Sequence, residues 1–353
     1  MAIEQLSGKL CDHTTLRVGG SAKQFVRVST DHELIDLVLD LDQRNEPLLI
    51  LGGGSNVVCA DSEFPGTAMI VSTRGINWVG DCVSVAAGES WDVFVSTSLE
   101  QGFGELAPLA GIPGSMGATP IQNIGAYGVE LAEFIDHVDV WDRKTGIRRI
   151  LSASDCEFEY RDSVFKRHPD RYVILTVTLK LNKTLEIPIE YQQLAEVMNQ
   201  EVGTTAQAVA VRAQVLQLRT MKSMVLDSTD AESNSTGSFF INPAVLNTQF
   251  PQGCPNYSLK VSDPRVKTHV KLSAAWLIEN SGITKGFGLG GQDSHIRVSR
   301  NHALAITNTD QGATQEVIQL ASYIRQQVFN AYGIELIAEP VLINCELDRL
   351  IVN

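Results

Sequence analysis

The feature that most constrains this chain is a glycine-rich stretch, AGIPGSMGATPIQNIGAYGVE, at residues 110–130. It holds five glycines and two prolines, which interrupt helices and strands, yet isoleucine and methionine side chains recur along it. Glycine lets backbone N–H groups approach an anion, because no β-carbon stands in the way. The stretch therefore predicts a loop that is anchored to the core and presents its backbone to a phosphate group. A loop with a purely structural role is the alternative.

A second glycine cluster, LILGGGSN at residues 49–56, includes the end of a predicted buried strand. It matches neither the GxGxxG pattern of dinucleotide-binding turns nor the GxxxxGK[ST] pattern of P-loops, so neither class is predicted. A bare tight turn is the alternative for this cluster. Both clusters also carry hydroxyl side chains, and two such loops suit the two phosphates of a dinucleotide.

The composition restricts the kind of partner. The chain has 353 residues, of which 44% are hydrophobic, enough for two or three domains. Its formal net charge of −13 argues against a nucleic-acid partner, since such proteins need a concentrated basic face. The first residues lack a signal-peptide pattern, and no apolar run approaches the roughly 20 residues of a membrane helix. We expect a soluble cytoplasmic protein that binds no nucleic acid and no membrane.

Metal binding is not predicted. The six cysteines form no CxxC pair, and the seven histidines form no HExxH or similar spacing. Scattered cysteines of this kind are typical of buried thiols in a reducing compartment.

Hydrophobic periodicity predicts a mixture of strands and helices. A β-α-β unit is expected over 22–56, with strands at 22–28 and 47–51 around a helix that starts at Asp31. Further strands are predicted at 67–73, 136–142, 147–152, 172–181, 302–308 and 334–344, and a strand-rich segment begins at 82. Further helices are predicted after Ser90, at 205–220, at 271–280 and at 313–332, with glycines ending three of them. The polar stretch at 227–238 is read as a long loop or a boundary.

Three polar positions are candidates for chemistry. Arg161 in EYRDSVFK is able to bind a carboxylate through two hydrogen bonds, or it belongs to a solvated charge cluster. Ser238 in TGSFFINP is able to donate a proton to a reacting carbon, or it caps a turn; no GxSxG pattern marks it as a hydrolase nucleophile. Glu339 in LIAEPVLIN lies among apolar residues, where a carboxylate is costly unless paired or functional, or it faces water from an edge strand.

Taken together, six motifs identify a family. TTLRVGG, LGGGSNVV, IPGSMGATPIQNIGAYGVE, YRDSVFK, GSFFINP and AEP occur in the order found in the UDP-N-acetylenolpyruvoylglucosamine reductase (MurB) family, which the chain resembles over nearly its whole length. YRDSVFK and the segment bearing Tyr191 resemble the longer, type I form. The resemblance implies an α+β fold of three domains, two of them forming a vanillyl-alcohol-oxidase-type (PCMH) FAD-binding fold. The implied domains are 1–73 with the C-terminal strand of 333–353 returning to it, 74–221, and an α/β substrate-binding domain at 222–332.

The resemblance also implies a cofactor and a set of site residues. FAD would be bound non-covalently, with its pyrophosphate lined by Gly52, Gly53, Gly54, Ser55, Asn56, Pro113, Gly114, Ser115, Gly117 and Ala118. Arg161, Ser238 and Glu339 match the family's catalytic positions. The expected substrate contacts are Tyr127, Tyr191, Lys222, Asn242 and Lys285. Some relatives carry lysine where this chain has Ile241, which is expected to alter one contact near the substrate.

The implied reaction is the NADPH-dependent reduction of UDP-N-acetylglucosamine enolpyruvate to UDP-N-acetylmuramate in peptidoglycan precursor synthesis. Hydride passes from NADPH through FAD to the β-carbon of the enolpyruvyl group. Arg161 and Glu339 would stabilise the charge on the substrate carboxylate, and Ser238 would protonate the α-carbon. We expect a monomer. The alternative is a flavin-dependent oxidase of the same fold, which needs no proton donor to an enolpyruvyl carbon.

Overall fold

The computed structural model describes residues 3–248, 250–260, 263, 265–309 and 311–351. Within this part of the chain, contacts divide the protein into two compact units. The first consists of the described part of Met1–Ser7, Lys23–Gly53 and Pro65–Met221. The second consists of Gly8–Ala22, Gly54–Phe64 and the described part of Lys222–Asn353. The division into three domains stays a prediction.

The first unit opens with the predicted β-α-β arrangement. Strand Ala22–Val28 leads into helix Asp31–Gln43, and strand Leu48–Leu51 follows. The helix begins where expected because the Thr30 side chain accepts a hydrogen bond from the Glu33 amide over 3.1 Å. Strand order in this sheet is Glu4–Gln5, Ala22–Val28, Phe64–Val71 and Leu48–Leu51, and the last two run parallel. The prediction for residues 22–56 is therefore confirmed in its strands and helix.

An antiparallel sheet forms the other layer of the first unit. Its strand order is Ile147–Ser152, Ile135–Asp142, Tyr172–Lys180, Cys82–Ala86 and Ile76–Val79. The predicted hairpin is present, with Asp142 paired to Ile147 beside its turn. The predicted strand at 172–181 forms its centre, and its alternate valines and leucines are buried in the core of this unit.

The helices of the first unit follow the sequence signals with one shift. Helix Trp91–Glu100 begins after Ser90, and the chain leaves it through Gly102, whose φ is +92°. Helix Ala208–Met221 starts three residues after the predicted start at 205, because Thr205–Gln207 pairs with Glu186–Pro188 as a strand. The remaining helices of this unit are Val164–Arg167 and Gln192–Val197, with short 3-10 turns at Ala107–Leu109, Met116–Ala118 and Leu131–Glu133.

The second unit has its own core. One sheet has the order Ser235–Ser238, Ala305–Asn308 and Ile296–Val298, and another the order Ala244–Leu246, His269–Leu272 and Asn256–Ser258. Helix Ala274–Asn280 and helix Thr314–Tyr332 complete it, with 3-10 turns at Leu10–His13, Ala231–Ser233 and Gly291–Asp293. The long helix ends at Gly333 as predicted, in the left-handed conformation that glycine adopts without strain.

Several predictions in this unit were wrong in extent. The strand predicted at 302–308 begins only at Ala305. The predicted C-terminal strand at 334–344 is reduced to Val341–Ile343, which pairs in parallel with Val57–Cys59. Pro340 explains the late start, because it has no N–H to donate to a ladder. The predicted helix at 271–280 starts only at Ala274, since His269–Leu272 is a strand. The predicted polar loop at 227–238 contains a 3-10 turn and then strand Ser235–Ser238.

All six cysteines are free thiols. Burial raises the pKa of Cys59 and of Cys156 to about 12 in each case. Among the described residues there is no cluster of His, Cys, Asp and Glu side chains suited to a metal ion. The same part of the chain contains no helix with the length and apolar character that crossing a membrane requires.

Candidate active site

The two glycine clusters meet in the first unit. A β-carbon added to Gly53 would lie 2.7 Å from Cα of Gly114, and one added to Gly52 would lie 2.1 Å from Oγ of Ser115. Real β-carbons do not approach neighbours so closely, so a side chain at Gly53 would require a backbone shift and one at Gly52 would displace the Ser115 side chain. The predicted pairing of Gly52–Gly53 with the 110–130 stretch is therefore present in the structure.

The second loop is held by its own backbone. The amide of Met116 donates to the Glu89 carbonyl, and that of Gly117 donates to the Ala87 carbonyl, each over 2.8 Å. A β-carbon at Gly117 would lie 2.6 Å from Cβ of Ala87. The 3-10 turn Met116–Ala118 fixes Ala118, which lies beside Gly52. Backbone hydrogen bonds and close packing thus give this loop a defined shape before any ligand binds.

The remainder of the first cluster belongs to the second unit. Gly54 has a φ of +62°, and a β-carbon there would lie 2.0 Å from the carbonyl oxygen of His13. The Asn56 side chain donates a hydrogen bond to the backbone carbonyl of Glu339 over 3.3 Å. The backbone carbonyl of Asn56 accepts one from the Val341 amide over 2.9 Å. Asn56 therefore fixes the backbone on either side of Pro340, next to the predicted catalytic glutamate.

The residues of both loops fit the pyrophosphate of FAD. A pyrophosphate is an anion that turns rich in glycine bind through backbone N–H groups. Gly52, Gly53 and Gly114 bring two such turns into direct backbone contact, and Ser115 adds a hydroxyl at their meeting point. Pro113, at the entry to the second turn, is partly buried.

Arg161 lies at a strained turn that packs on the glycine-rich stretch. Glu159 and Asp162 exchange both backbone hydrogen bonds, at 3.1 and 3.2 Å, so Tyr160 and Arg161 form the tip of a tight turn. Arg161 has a φ of +56°, an unusual conformation for a long side chain that is often found at functional sites. Its Nη2 donates to the carbonyl of Gly125 over 2.7 Å. The guanidinium is therefore held by the loop rather than extended into solvent.

Two of the predicted substrate contacts touch each other in the same unit. The rings of Tyr127 and Tyr191 pack edge to face, with centroids 5.7 Å apart. Tyr127 has a φ of +49° and Gly128 one of +92°, as in a type I′ hairpin turn between Gly125–Ala126 and Val129–Glu130. Burial raises the pKa of Tyr127, and the nearby Arg219 opposes that shift.

Ser238 and Glu339 are brought together in the second unit. The Glu339 amide donates to the Phe239 carbonyl over 2.9 Å, and Phe240 pairs with Ala338 in an antiparallel bridge. Phe239 and Phe240 are fully buried and pack against each other, which anchors the end of the Ser235–Ser238 strand. Ser238 and Glu339 are both partly buried. Ser238 therefore directly precedes the residue whose backbone binds Glu339.

The other predicted substrate contacts are spread over the second unit. The Asn242 side chain accepts a hydrogen bond from the Ala274 amide over 2.9 Å, which fixes it at the start of helix Ala274–Asn280. Lys222 is partly buried directly after helix Ala208–Met221, and Lys285 is exposed after Ile283. Their contact with the substrate stays a prediction.

Two residues near the site were not predicted from the sequence: a buried polar residue beside Arg161 and a partly buried cation beside Tyr127. Asn123 is 1% exposed, and its side chain makes three hydrogen bonds, two to the segment Glu130–Ala132 and one to Glu159. Arg219 is partly buried near Tyr127 and Arg161, and loss of solvent around its guanidinium lowers its pKa. An asparagine inside a loop carries no distinguishing pattern. Arg219 lies near the end of helix Ala208–Met221, and the sequence alone does not distinguish it from the exposed arginines that are common in helices.

Comparison with known proteins identifies the class first. Residues 22–151 match the family model described as the FAD binding domain, so the chain is a flavoprotein with an α+β FAD-binding fold. Residues 229–343 match the model described as the UDP-N-acetylenolpyruvoylglucosamine reductase C-terminal domain.

Whole-length relatives carry the same name. The chain is 44% identical over 340 residues to the UDP-N-acetylenolpyruvoylglucosamine reductase of Cutibacterium acnes, covering 95% of this chain and 89% of that protein. It is 42% identical to that of Saccharopolyspora erythraea, covering 96% and 95%. The crystal structure of the Thermus caldophilus enzyme shares the fold, with a TM-score of 0.65 at 23% identity over 97% and 99% of the two chains. The chain therefore belongs to the UDP-N-acetylenolpyruvoylglucosamine reductase family.

Family membership confirms several predictions at once. The α+β fold class, the FAD cofactor and the assignment as an FAD-dependent oxidoreductase of this family are all confirmed. The oxidase of the same fold is not supported, because relatives over most of the chain are reductases. The roles of individual site residues and the type I assignment stay predictions.

Proposed function

We propose that this chain reduces UDP-N-acetylglucosamine enolpyruvate to UDP-N-acetylmuramate with NADPH as hydride donor, and that Arg161, Ser238 and Glu339 carry the chemistry. When FAD is bound, its flavin ring supplies the hydride transfer from NADPH to the β-carbon of the enolpyruvyl group. The chain's own residues bind the two substrates, hold the enolpyruvyl carboxylate and provide a proton.

Arg161 stabilises the negative charge that spreads onto the substrate carboxylate as hydride arrives. A guanidinium suits this role because it stays charged and presents several donors in one plane. Its Nη2 donates a hydrogen bond to the Gly125 carbonyl, so the guanidinium is already oriented when the substrate binds. A donor that is already oriented costs no reorganisation during the reaction, which is the source of this kind of rate enhancement.

Ser238 donates a proton to the α-carbon, and Glu339 helps to hold the carboxylate. A hydroxyl must lie within hydrogen-bond reach of the carbon it protonates, so its backbone must be rigid. Burial of Phe239 and Phe240 provides that rigidity for Ser238. The Asn56 contacts on either side of Pro340 do the same for Glu339.

The observation that carries the proposal is the antiparallel alignment of the two segments bearing Ser238 and Glu339. The pairing of Phe239 with Glu339 supports the proposal because it aligns the segments of two residues that are 101 positions apart in the sequence and were both candidates for chemistry. FAD is proposed to lie on Gly52–Asn56 and Pro113–Ala118, and the uridine-linked substrate against Tyr127, Tyr191, Lys222, Asn242 and Lys285.

The experiment separates the two half-reactions. Ser238→Ala should leave reduction of the bound flavin by NADPH intact and slow its reoxidation by the enolpyruvyl substrate by about 100- to 10,000-fold. Equal losses in both half-reactions would contradict a proton-donor role. Ser258→Ala, an exposed serine of the same unit, is the matched control and should change neither rate.

We further propose that the protein works as a monomer in the cytoplasm, where NADPH and nucleotide sugars are found. Its free cysteines fit a reducing compartment. Sedimentation of the FAD-loaded protein should give the mass of one chain, 38.5 kDa plus cofactor. A mass of twice that value at micromolar concentration would contradict the monomer.

A further inference from the structure

Asn123 joins three segments of the first unit through one buried carboxamide. Its Nδ2 donates to the Glu130 carboxylate over 3.0 Å and to the Glu159 carbonyl over 3.1 Å. Its Oδ1 accepts from the Ala132 amide over 2.9 Å. The residue is 1% exposed. A buried amide bonded in this way fixes its partners, because removing one bond leaves a desolvated polar group behind.

Two of the three segments are those that hold Arg161. Glu159 begins the tight turn that has Arg161 at its tip. On the other side, Asn123 itself offers its backbone carbonyl to Nη1 of Arg161 over 3.4 Å, and Gly125 offers its carbonyl to Nη2 over 2.7 Å. Asn123 therefore connects the turn that carries the guanidinium to the loop that orients it.

The backbone of Asn123 also fits only a few residues. Its φ is +44°, in the left-handed region, which asparagine, aspartate and glycine adopt with least strain. Asparagine is the member of this group that can both donate two hydrogen bonds and accept one. Position 123 therefore requires a residue that tolerates positive φ and also donates two hydrogen bonds, and asparagine meets both requirements.

We infer that Asn123 is a positioning residue for Arg161, and that it sets the discrimination for ligands bearing a carboxylate. This inference rests on the role proposed above for Arg161. Asn123 acts through the arginine: it holds the guanidinium at the angle required for the enolpyruvyl carboxylate, and it contributes to the reaction only in that way.

A merely structural role predicts a different result. A loss of fold stability would weaken the binding of every ligand alike. A loss of Arg161 orientation would weaken only ligands whose carboxylate the arginine contacts. UDP-N-acetylmuramate has such a carboxylate and UDP-N-acetylglucosamine lacks it, so the ratio of their dissociation constants reports on Arg161 separately from the nucleotide contacts.

Two variants retain the backbone conformation and remove the amide. Asn123→Asp is isosteric but places a carboxylate oxygen against the Glu130 carboxylate and the Glu159 carbonyl. Asn123→Gly removes the side chain without strain at positive φ. If the glycine variant does not fold, the aspartate variant decides the test alone. Arg161→Ala provides the reference for complete loss of the carboxylate contact.

The control is Asn308, a buried asparagine of the second unit whose side chain makes the same number of hydrogen bonds. The Asn308 side chain is 3% exposed, donates to the carbonyls of Leu16 and Arg17 at 3.2 Å each, and accepts from the Gly312 amide at 3.0 Å. Asn308→Asp should lower the thermal midpoint by a similar amount to Asn123→Asp. It should leave the ratio of the two dissociation constants at the wild-type value.

Titration calorimetry of the FAD-loaded protein with both ligands gives the decision. In both Asn123 variants we expect the preference for UDP-N-acetylmuramate, measured as the ratio of the two dissociation constants, to fall about tenfold. They should also slow flavin reoxidation by the enolpyruvyl substrate about 100-fold, with reduction of the flavin by NADPH unchanged.

If Arg161→Ala loses the preference and the Asn123 variants keep it, the inference is wrong and the proposed role of Arg161 stands. If Arg161→Ala keeps the preference, that proposed role is itself wrong. Equal weakening of both ligands in the Asn123 variants would show a structural role only.

Discussion

The backbone amide of Glu339 donates a hydrogen bond to the carbonyl of Phe239 over 2.9 Å. This contact places the last of the predicted catalytic residues beside the strand that ends at Ser238. The backbone amide of Phe239 in turn donates a hydrogen bond to the Leu304 carbonyl over 2.7 Å. Phe239 is therefore fixed between two neighbouring backbones, and the position of Ser238 follows from it.

Glu339→Gln tests whether the carboxylate contributes to the same step as Ser238. The variant keeps the shape and the backbone contact but lacks the ionisable group. We expect flavin reoxidation by the enolpyruvyl substrate to slow by about 100-fold, with the NADPH half-reaction unchanged. Stopped-flow absorbance of the flavin measures both rates. Glu346→Gln, at an exposed glutamate of the same C-terminal segment, is the control. A wild-type rate in Glu339→Gln would remove Glu339 from the site.

Arg161→Lys tests the geometry of the guanidinium separately from its charge. Lysine keeps the positive charge but cannot hold the Gly125 carbonyl and a carboxylate with one planar group. We expect the same half-reaction to slow by about 100- to 1,000-fold, the range found when one oriented donor is lost. Arg27→Lys, in a partly exposed ion pair with Glu4, should have no effect on either rate. Full activity in Arg161→Lys would mean that charge alone is sufficient.

Gly53→Ala tests the FAD cradle. The added methyl would lie 2.7 Å from Cα of Gly114, so one of the two loops must move. We expect FAD affinity to fall at least about tenfold, equivalent to roughly 1.4 kcal/mol. The ratio of flavin to protein after purification, and the thermal shift on adding FAD, measure the loss. Gly146→Asn is the control, because Gly146 lies in open space and asparagine tolerates its φ of +66°. Normal FAD content in Gly53→Ala would place the cofactor elsewhere.

The parts of this protein that were predictable from sequence are those encoded by local patterns. Alternation and helical spacing defined the strand Ala22–Val28 and the helix Asp31–Gln43. Glycine chemistry indicated both loops, and the structure brings Gly53 and Gly114 into contact. Local signals failed where the outcome depends on pairing with a distant segment, as for Thr205–Gln207, which forms a strand with Glu186–Pro188.

The candidate site was predictable only in its individual residues. Arg161, Ser238 and Glu339 were selectable because each is a polar residue in an unusual setting. Their neighbours were not, because hydrogen bonds such as Asn123 to Glu159 join positions 36 residues apart. A left-handed backbone at Asn123 or Arg161 also leaves no mark in the sequence, since most residues of these types have negative φ.

Asp142 gives a prediction about acid stability. Its carboxylate is fully buried, and hydrogen bonds from Arg171 and then Arg149 outweigh burial and hold its pKa at about 2. This lies below the value of about 3.9 for an unfolded chain. The stabilisation is therefore complete above about pH 4 and is lost as the pH falls through about 2.

Asp142→Asn should lower the free energy of unfolding at pH 7 by roughly 2 kcal/mol, because two arginines lose their charged partner. The difference between variant and wild type should shrink as the pH falls below about 4. Urea unfolding at a series of pH values measures it. Asp170→Asn, at an exposed position, should show no such dependence. A difference that stays constant from neutral to acid pH would contradict the assignment of the ion pairs as the cause.

In the proposed reaction, one bound FAD connects NADPH to an enolpyruvyl sugar nucleotide. Anaerobic titration of the purified yellow protein, followed by its visible absorbance, tests it directly. We expect NADPH to bleach the flavin and stoichiometric UDP-N-acetylglucosamine enolpyruvate to restore the colour, with UDP-N-acetylmuramate as product. A flavin that NADPH bleaches but the enolpyruvyl substrate leaves bleached, and that only oxygen restores, would contradict it.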